Sequence, residues 1–311
     1  MKVGSDINVS EMIEKNRKNN HRNQLVEKIV PKLLLICATV SILTTLGIVF
    51  TLFKETITFF QDVSFIEFIT SKEWYPMHTS PSFGILPLIS GTLLVTFIAI
   101  IVAVPLGLGA AIYLSEYAGE GVRKILKPVL EVLAGIPTIV YGFFALTFVT
   151  PLLRNFFDLS IYNALSPGIV IGIMIIPMIA SLSEDAMNAV PNSMREGAYT
   201  LGSTRLEVAV KVVIPSALSG IISSFVLAFS RAVGETMIVT VAGGSNPIAT
   251  LDVTSAIQTM TAYIVQVSLG DATYGSTVYY SIYAVGMTLF VFTLLMNLLA
   301  GYISRRFREE Y

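Results

Sequence analysis

Residues 191–215 read PNSMREGAYTLGSTRLEVAVKVVIP, a polar, amphipathic stretch set between two long apolar segments. Ser193 stands where it would cap a short helix, and Glu196, three residues on, would complete a capping box. Gly202 permits a sharp turn. A second helix is expected after it, with Leu206, Val210 and Val213 on one face and Pro215 at its end. Two short helices joined at a glycine form a compact protrusion suited to a groove on another protein. The other reading is an interfacial element lying on lipid headgroups.

Outward from this stretch the chain is a series of membrane spans. Crossing about 30 Å of hydrocarbon takes about 20 mostly apolar residues. Six segments qualify: 33–53, 86–115, 128–153, 159–183, 216–243 and 272–304. Hydrophobic residues make up 54% of the chain and charged residues 13%. Mean hydropathy is +0.73. A soluble domain carries about 25% charged residues, so much of this surface faces lipid. The expected fold is an all-α integral membrane protein of six transmembrane helices. Residues 1–32 form a polar arm, expected to be loosely ordered, and 305–311 a short tail. The arm precedes an apolar segment longer than the roughly 7–15 residues of a signal core, so no cleavable signal peptide is expected.

Charge placement sets the orientation. Sixteen of the twenty Lys and Arg fall in the arm, the connections at 123–127 and 195–211, and the tail. Only Lys54, Lys72 and Arg154 fall in the alternate connections, which puts both termini in the cytoplasm. Pro105, Pro137 and Pro177 sit mid-span, where each removes a donor and bends its helix. Gly168 and Gly172 give the fourth span a small face for close packing.

The chain lacks a Gly-Lys dipeptide and hence a Walker A phosphate loop, and its histidines, His21 and His78, lie in different connections. The lone cysteine, Cys37, falls in an apolar run. No catalytic residue, cofactor, metal or nucleic-acid partner is expected. Arg231 and Glu235 stand apart, because an arginine at mid-span costs about 2.5–3.5 kcal/mol on insertion scales. Their spacing puts both on one face of a continuous helix, where they would form a structural ion pair or line a pathway for an oxyanion. Glu131, near a span end, is open between a polar interface contact and function.

The 191–215 stretch resembles the E-A-A-x3-G-x9-I-x-L-P loop of ABC importer permeases. Glu196, Ala198, Gly202 and Pro215 fall at matching positions, while Gly197, Val212 and Ile214 replace Ala, Ile and Leu. The resemblance implies that Glu196, Gly197, Ala198, Gly202 and Pro215 couple the spans to a separate ATP-binding subunit. Ser90-Gly91-Thr92-Leu93, Gly135 to Gly142 and Ser230 to Met237 are similar to the phosphate-specific permeases. Glu235-Thr236-Met237 and Tyr280 to Ala284 favour their PstC-type branch over its PstA-type sister. That likeness implies a MetI-like core, a phosphate pathway at Arg231 and Glu235, a PstA-like second permease and an external phosphate-binding protein. Arg231 alone would suit sulfate, molybdate or phosphonate equally. A transporter or channel without an ATPase is the rival from another class.

Overall fold

The computed structural model describes residues 9–270 and 272–306. The chain divides into two units after Lys54. In the first, helix α1 (Val9–Asp62) begins at once, and Ile29–Asp62 is apolar enough to cross a membrane. The arm expected to be loosely ordered is therefore helical from Val9, as befits a run carrying Glu, Lys and Arg. Residues 1–8, and 307–311 of the expected tail, lie outside the described residues. Leu33 to Phe53 expose their large apolar side chains all round, and Cys37 is among the exposed residues. A helix apolar on every face is solvated by lipid.

The second unit is a helical bundle. Helix α2 (Phe65–Thr70) and a two-stranded hairpin, β1 (Trp74–Tyr75) with β2 (Ser82–Phe83), precede α3 (Leu86–Ile112). Helices α4 (Glu120–Gly135), α5 (Thr138–Phe144), α6 (Thr150–Arg154) and α7 (Leu165–Asn188) follow. Next come α8 (Asn192–Thr200), α9 (Arg205–Val208), α10 (Ile214–Ser216) and α11 (Leu218–Val233). The chain closes with α12 (Met237–Ala242), α13 (Met260–Leu269) and α14 (Thr277–Arg306). Helix α3 ends in a π-turn at Tyr113–Tyr117.

The bundle is organised on α3 and α7, which meet through glycine. A Cβ on Gly168 would come within 2.7 Å of Ile98, and one on Gly172 within 2.8 Å of Val102 and 2.9 Å of the Ala99 carbonyl. Gly107 faces Ile179 as closely in the other direction. Val95, Ala99, Ala103, Val170, Ile171 and Ile175 fill the seam, all buried. The small face expected on the fourth span is the packing surface of the core. Pro105 and Pro177 both lie inside continuous helices.

Several span boundaries differ from expectation. The third span is not one helix over 128–153, because α4 and the α5–α6 segment meet at 87°. Ile136 is extended (φ −68°, ψ 130°) and Pro137 stands at the N-cap of α5. A residue before proline is driven out of the helical region by the ring, so Pro137 ends one helix and starts another. The fifth span breaks at Ala217, where the loop helices and α11 meet at 73°, and again after Val233. The fourth begins at Leu165 rather than 159, with the buried Asn163 side chain accepting from the Ser166 N–H at 2.8 Å. The sixth starts at Thr277, residues 272–276 forming a turn after the separate α13. Among the described residues four helices can cross alone, and the two bent pairs raise the number to as many as six.

The glycine seam carries a direct expectation. Gly172→Val should lower stability by about 1–3 kcal/mol through overpacking. Gly109→Ala, where nothing lies within 4 Å, should be neutral. Thermal unfolding of both variants in detergent, followed by circular dichroism, checks it, and equal melting would refute the role of the seam.

Candidate coupling and pathway site

The 191–215 stretch folds as two helices about a glycine. Gly202 has φ +85°, its N–H donates to the Tyr199 carbonyl at 2.9 Å and the Ser203 N–H to Ala198 at 3.2 Å. This closes α8 with a left-handed residue, which glycine adopts without strain. The capping box sits elsewhere than expected. Pro191 is the N-cap of α8 and presets its start, so Ser193 falls inside the helix and caps nothing. The box forms instead at Thr204 and Glu207, which exchange hydrogen bonds at the head of α9. The Thr204 backbone N–H, then Lys211, hold the Glu207 carboxyl down at about 2.

The expected apolar face divides in two. Val213 is buried with Val208 and Ala209, whereas Leu206 and Val210 point outward. A π-turn at Ala209–Val213 shifts the register there, just ahead of Pro215, which has no N–H to continue regular bonding. Val208, Val213, Met187, Ala111 and Ile221 form a core that seats the loop under the ends of α3 and α7, with Ala198 packed against it. The opposite surface exposes Glu196, Gly197, Gly202 and Pro215 beside Leu201 (89% exposed), Leu206 (61%) and Val210 (51%). Three large apolar side chains grouped at a polar loop are ready for a protein partner.

An ionic network that the sequence did not reveal fixes this loop to the bundle. Arg195 of α8 reaches Glu116 of the π-turn at 3.1 Å. It also donates to the Met187 and Val190 carbonyls at 2.7 Å each, capping the end of α7. Glu184 of α7, 1% exposed, meets Arg123 at 3.2 Å and Lys127 at 3.5 Å, both from α4. Buried carboxylates cost heavily unless paired, and here each has a cation. The signals available were Glu116, just past the 86–115 segment, and Glu184, just past the 159–183 segment. Only folding shows that they share one hub. Glu131 is exposed at a cleft of about 210 Å³ between α4 and α7, which Lys127 and Glu184 also line.

Arg231 and Glu235 do not form the expected pair. Helix α11 ends at Val233, so the face shared by residues four apart on a continuous helix does not exist. The Glu235 side chain, 7% exposed, turns inward and accepts from the Met237 and Ile238 N–H groups at 3.2 and 3.4 Å, capping α12. Arg231 is exposed, on a face of α11 with Leu227, and no ion pair forms to it among the described residues.

At the opposite end of the bundle Ser90, Gly91 and Thr92 hold the long connection before α13. Ser90 Oγ donates to the Thr250 carbonyl, the Met260 N–H donates to Thr92 Oγ1 at 3.0 Å, and Gly91 faces the Gln258 carbonyl too closely for any Cβ. Thr261 Oγ1 then donates to the Glu235 carbonyl at 2.8 Å, tying this connection to the break between α11 and α12.

The family model described as binding-protein-dependent transport system inner membrane component matches residues 103–309. The chain is 35% identical over 306 residues to a probable ABC transporter permease protein, YqgH, of Bacillus subtilis, covering 97% of each. It is 36% identical to the phosphate transport system permease protein PstC of Mesorhizobium japonicum, covering 77% of this chain and 78% of that one. Among solved structures, a bacterial ABC transporter for alginate import superposes with TM-score 0.61 at 17% identity, over 91% of this chain and 99% of that one. The MetNI methionine ABC transporter gives 0.55 at 16%, over 73% and 95%. At such identities the structural likeness is one of fold, and it is the MetI-like fold. The chain belongs to the binding-protein-dependent transport system inner membrane components, the membrane-embedded permeases of ABC importers.

Proposed function

We propose that this chain carries inorganic phosphate inward, paired with a PstA-like sister permease and served by an external phosphate-binding protein. Membership of the family makes it a transport subunit and not an enzyme, working with separate ATP-binding subunits and a substrate-binding protein. The observation that carries the phosphate reading is Arg231. It is a cation on an otherwise apolar span, exposed and unpaired among the described residues. Left against lipid it would cost about 2.5–3.5 kcal/mol, so in the assembled importer this face of α11 turns to the sister permease and a wet pathway. A guanidinium offers paired donors that fit a phosphate. The phosphate permease relatives support that choice of oxyanion. The Glu235 carboxylate shapes the same turn by capping α12.

In the proposed mechanism six spans leave both termini in the cytoplasm, and the pathway alternates between outward and inward access. ATP-driven closure of the ATPase subunits presses on Glu196, Gly197, Ala198, Gly202 and Pro215. The Arg195–Glu116 and Glu184–Arg123 pairs then carry the displacement into α3, α4 and α7.

Three measurements test these points. With Cys37 replaced by serine, Ser245→Cys should label with an impermeant thiol reagent in intact cells and Ser203→Cys should not. The reverse pattern would invert the orientation. Gly202→Val forces a β-branched residue to φ +85°, at a cost of about 1–3 kcal/mol. It should abolish co-purification with the ATPase while the permease still inserts. Normal capture would give the loop another task. Arg231→Gln should remove uptake of labelled phosphate at unchanged protein level, and adding Glu235→Gln should not restore it, since the two are not partners. Normal uptake by Arg231→Gln would sink the pathway role.

A further inference from the structure

A cavity of about 340 Å³ opens at the end of the bundle opposite the loop, and nothing above uses it. Its polar wall is made by Trp74 and His78 of the hairpin and by Ser245, Asn246, Gln258 and Gln266. That volume lies within the range of small-molecule sites. No carboxylate lines it, and neither does a lysine or arginine.

Trp74 marks it as a site. The residue is 1% exposed, held among Phe68, Phe83 and Tyr263, and its indole N–H is buried without an acceptor. Such a group is donor-only and costly to leave unmade. The amides are arranged likewise. Gln258 is buried and its Nε2 donates to Gln266 Oε1 at 2.6 Å, which fixes the Gln266 amide and leaves its hydrogens to donate at the rim. Asn246 and Ser245 each add a group that can donate or accept. A cavity with an unmet indole donor, adaptable amides and no carboxylate suits a ligand rich in hydrogen-bond acceptors.

We propose that this cavity is a receiving site for a tetrahedral oxyanion, occupied between release from the substrate-binding protein and entry to the pathway at Arg231. The proposal rests on the oxyanion reading above and deepens it. Neutral donors suit such a station, because they recognise the ion without the charge that would trap it. Its floor is also the segment that reaches the pathway. Gln258 is held by Gly91, and Thr261, three residues on, bonds the Glu235 carbonyl. An occupant of the cavity therefore touches the strand of chain that positions the break below Arg231.

Trp74 is the one tryptophan of the chain, so 5-fluorotryptophan labelling gives a single fluorine resonance at the site. The full chain in nanodiscs is titrated with sodium phosphate, sodium sulfate and, at matched ionic strength, sodium chloride. The resonance should shift saturably with phosphate or sulfate and not with chloride. Gln266→Glu keeps an acceptor for Gln258 Nε2 but removes the rim donors and adds a negative charge, and should raise the half-saturating concentration about tenfold or more. A shift with sulfate alone would sustain the cavity and remove phosphate as the cargo, which separates this proposal from the one it rests on. No saturable shift with either oxyanion, or a Gln266→Glu variant that binds as well as the parent, would overturn it.

Discussion

In lipid two helices gain nothing by hiding apolar side chains from one another, so they hold together only where their backbones approach closely. Helices α3 and α7 do so at Gly168 and Gly172. Both ends of the bundle hang from that seam. At one end Ser90, Gly91 and Thr92 of α3 grip the connection before α13. At the other, the π-turn of α3 and the end of α7 present Glu116 and Glu184 to the loop and to α4. In the proposed mechanism a displacement at either end reaches the other through this closely packed pair.

The breaks in the other spans follow from the same medium. Unpaired backbone groups cannot face hydrocarbon, so a broken helix survives only where side chains or neighbouring segments satisfy its ends. The break after Val233 meets this condition. The Glu235 carboxylate takes two N–H groups of α12, and Thr261 supplies a donor to the Glu235 carbonyl. Glu235 is thus structural first, and its influence on any pathway passes through the shape of the turn. Arg231 has no such partner among the described residues.

The loop shows how coupling and anchoring divide between two faces of a few residues. Its buried side is apolar packing plus one arginine, Arg195, that caps α7 and pairs with Glu116. Its outer side exposes Leu201, Leu206 and Val210, the face proposed to meet the ATPase. In the proposed mechanism a partner that presses on the outer side moves α3 and α7 together, because the inner side is bonded to both.

Composition and patterning alone determined that this is a polytopic helical membrane protein. The need for about 20 apolar residues per crossing is readable without coordinates. So was the glycine turn, since only glycine takes φ +85° freely at Gly202. Local bonding at the breaks was not legible, because the apolar run continues past Pro137 and the polar dip at Arg231 and Glu235 reads equally well as two charges on one helix. Whether such a residue kinks a helix or ends it depends on what receives the freed backbone groups, and those partners lie far off in sequence. The ionic hub has the same character. Glu116 and Arg195 are 79 residues apart, and no spacing rule links them. The tertiary structure decided which charges meet: it separated Arg231 from Glu235, which the sequence had placed together, and joined Arg195 to Glu116, because a buried carboxylate must find a cation wherever the fold brings one.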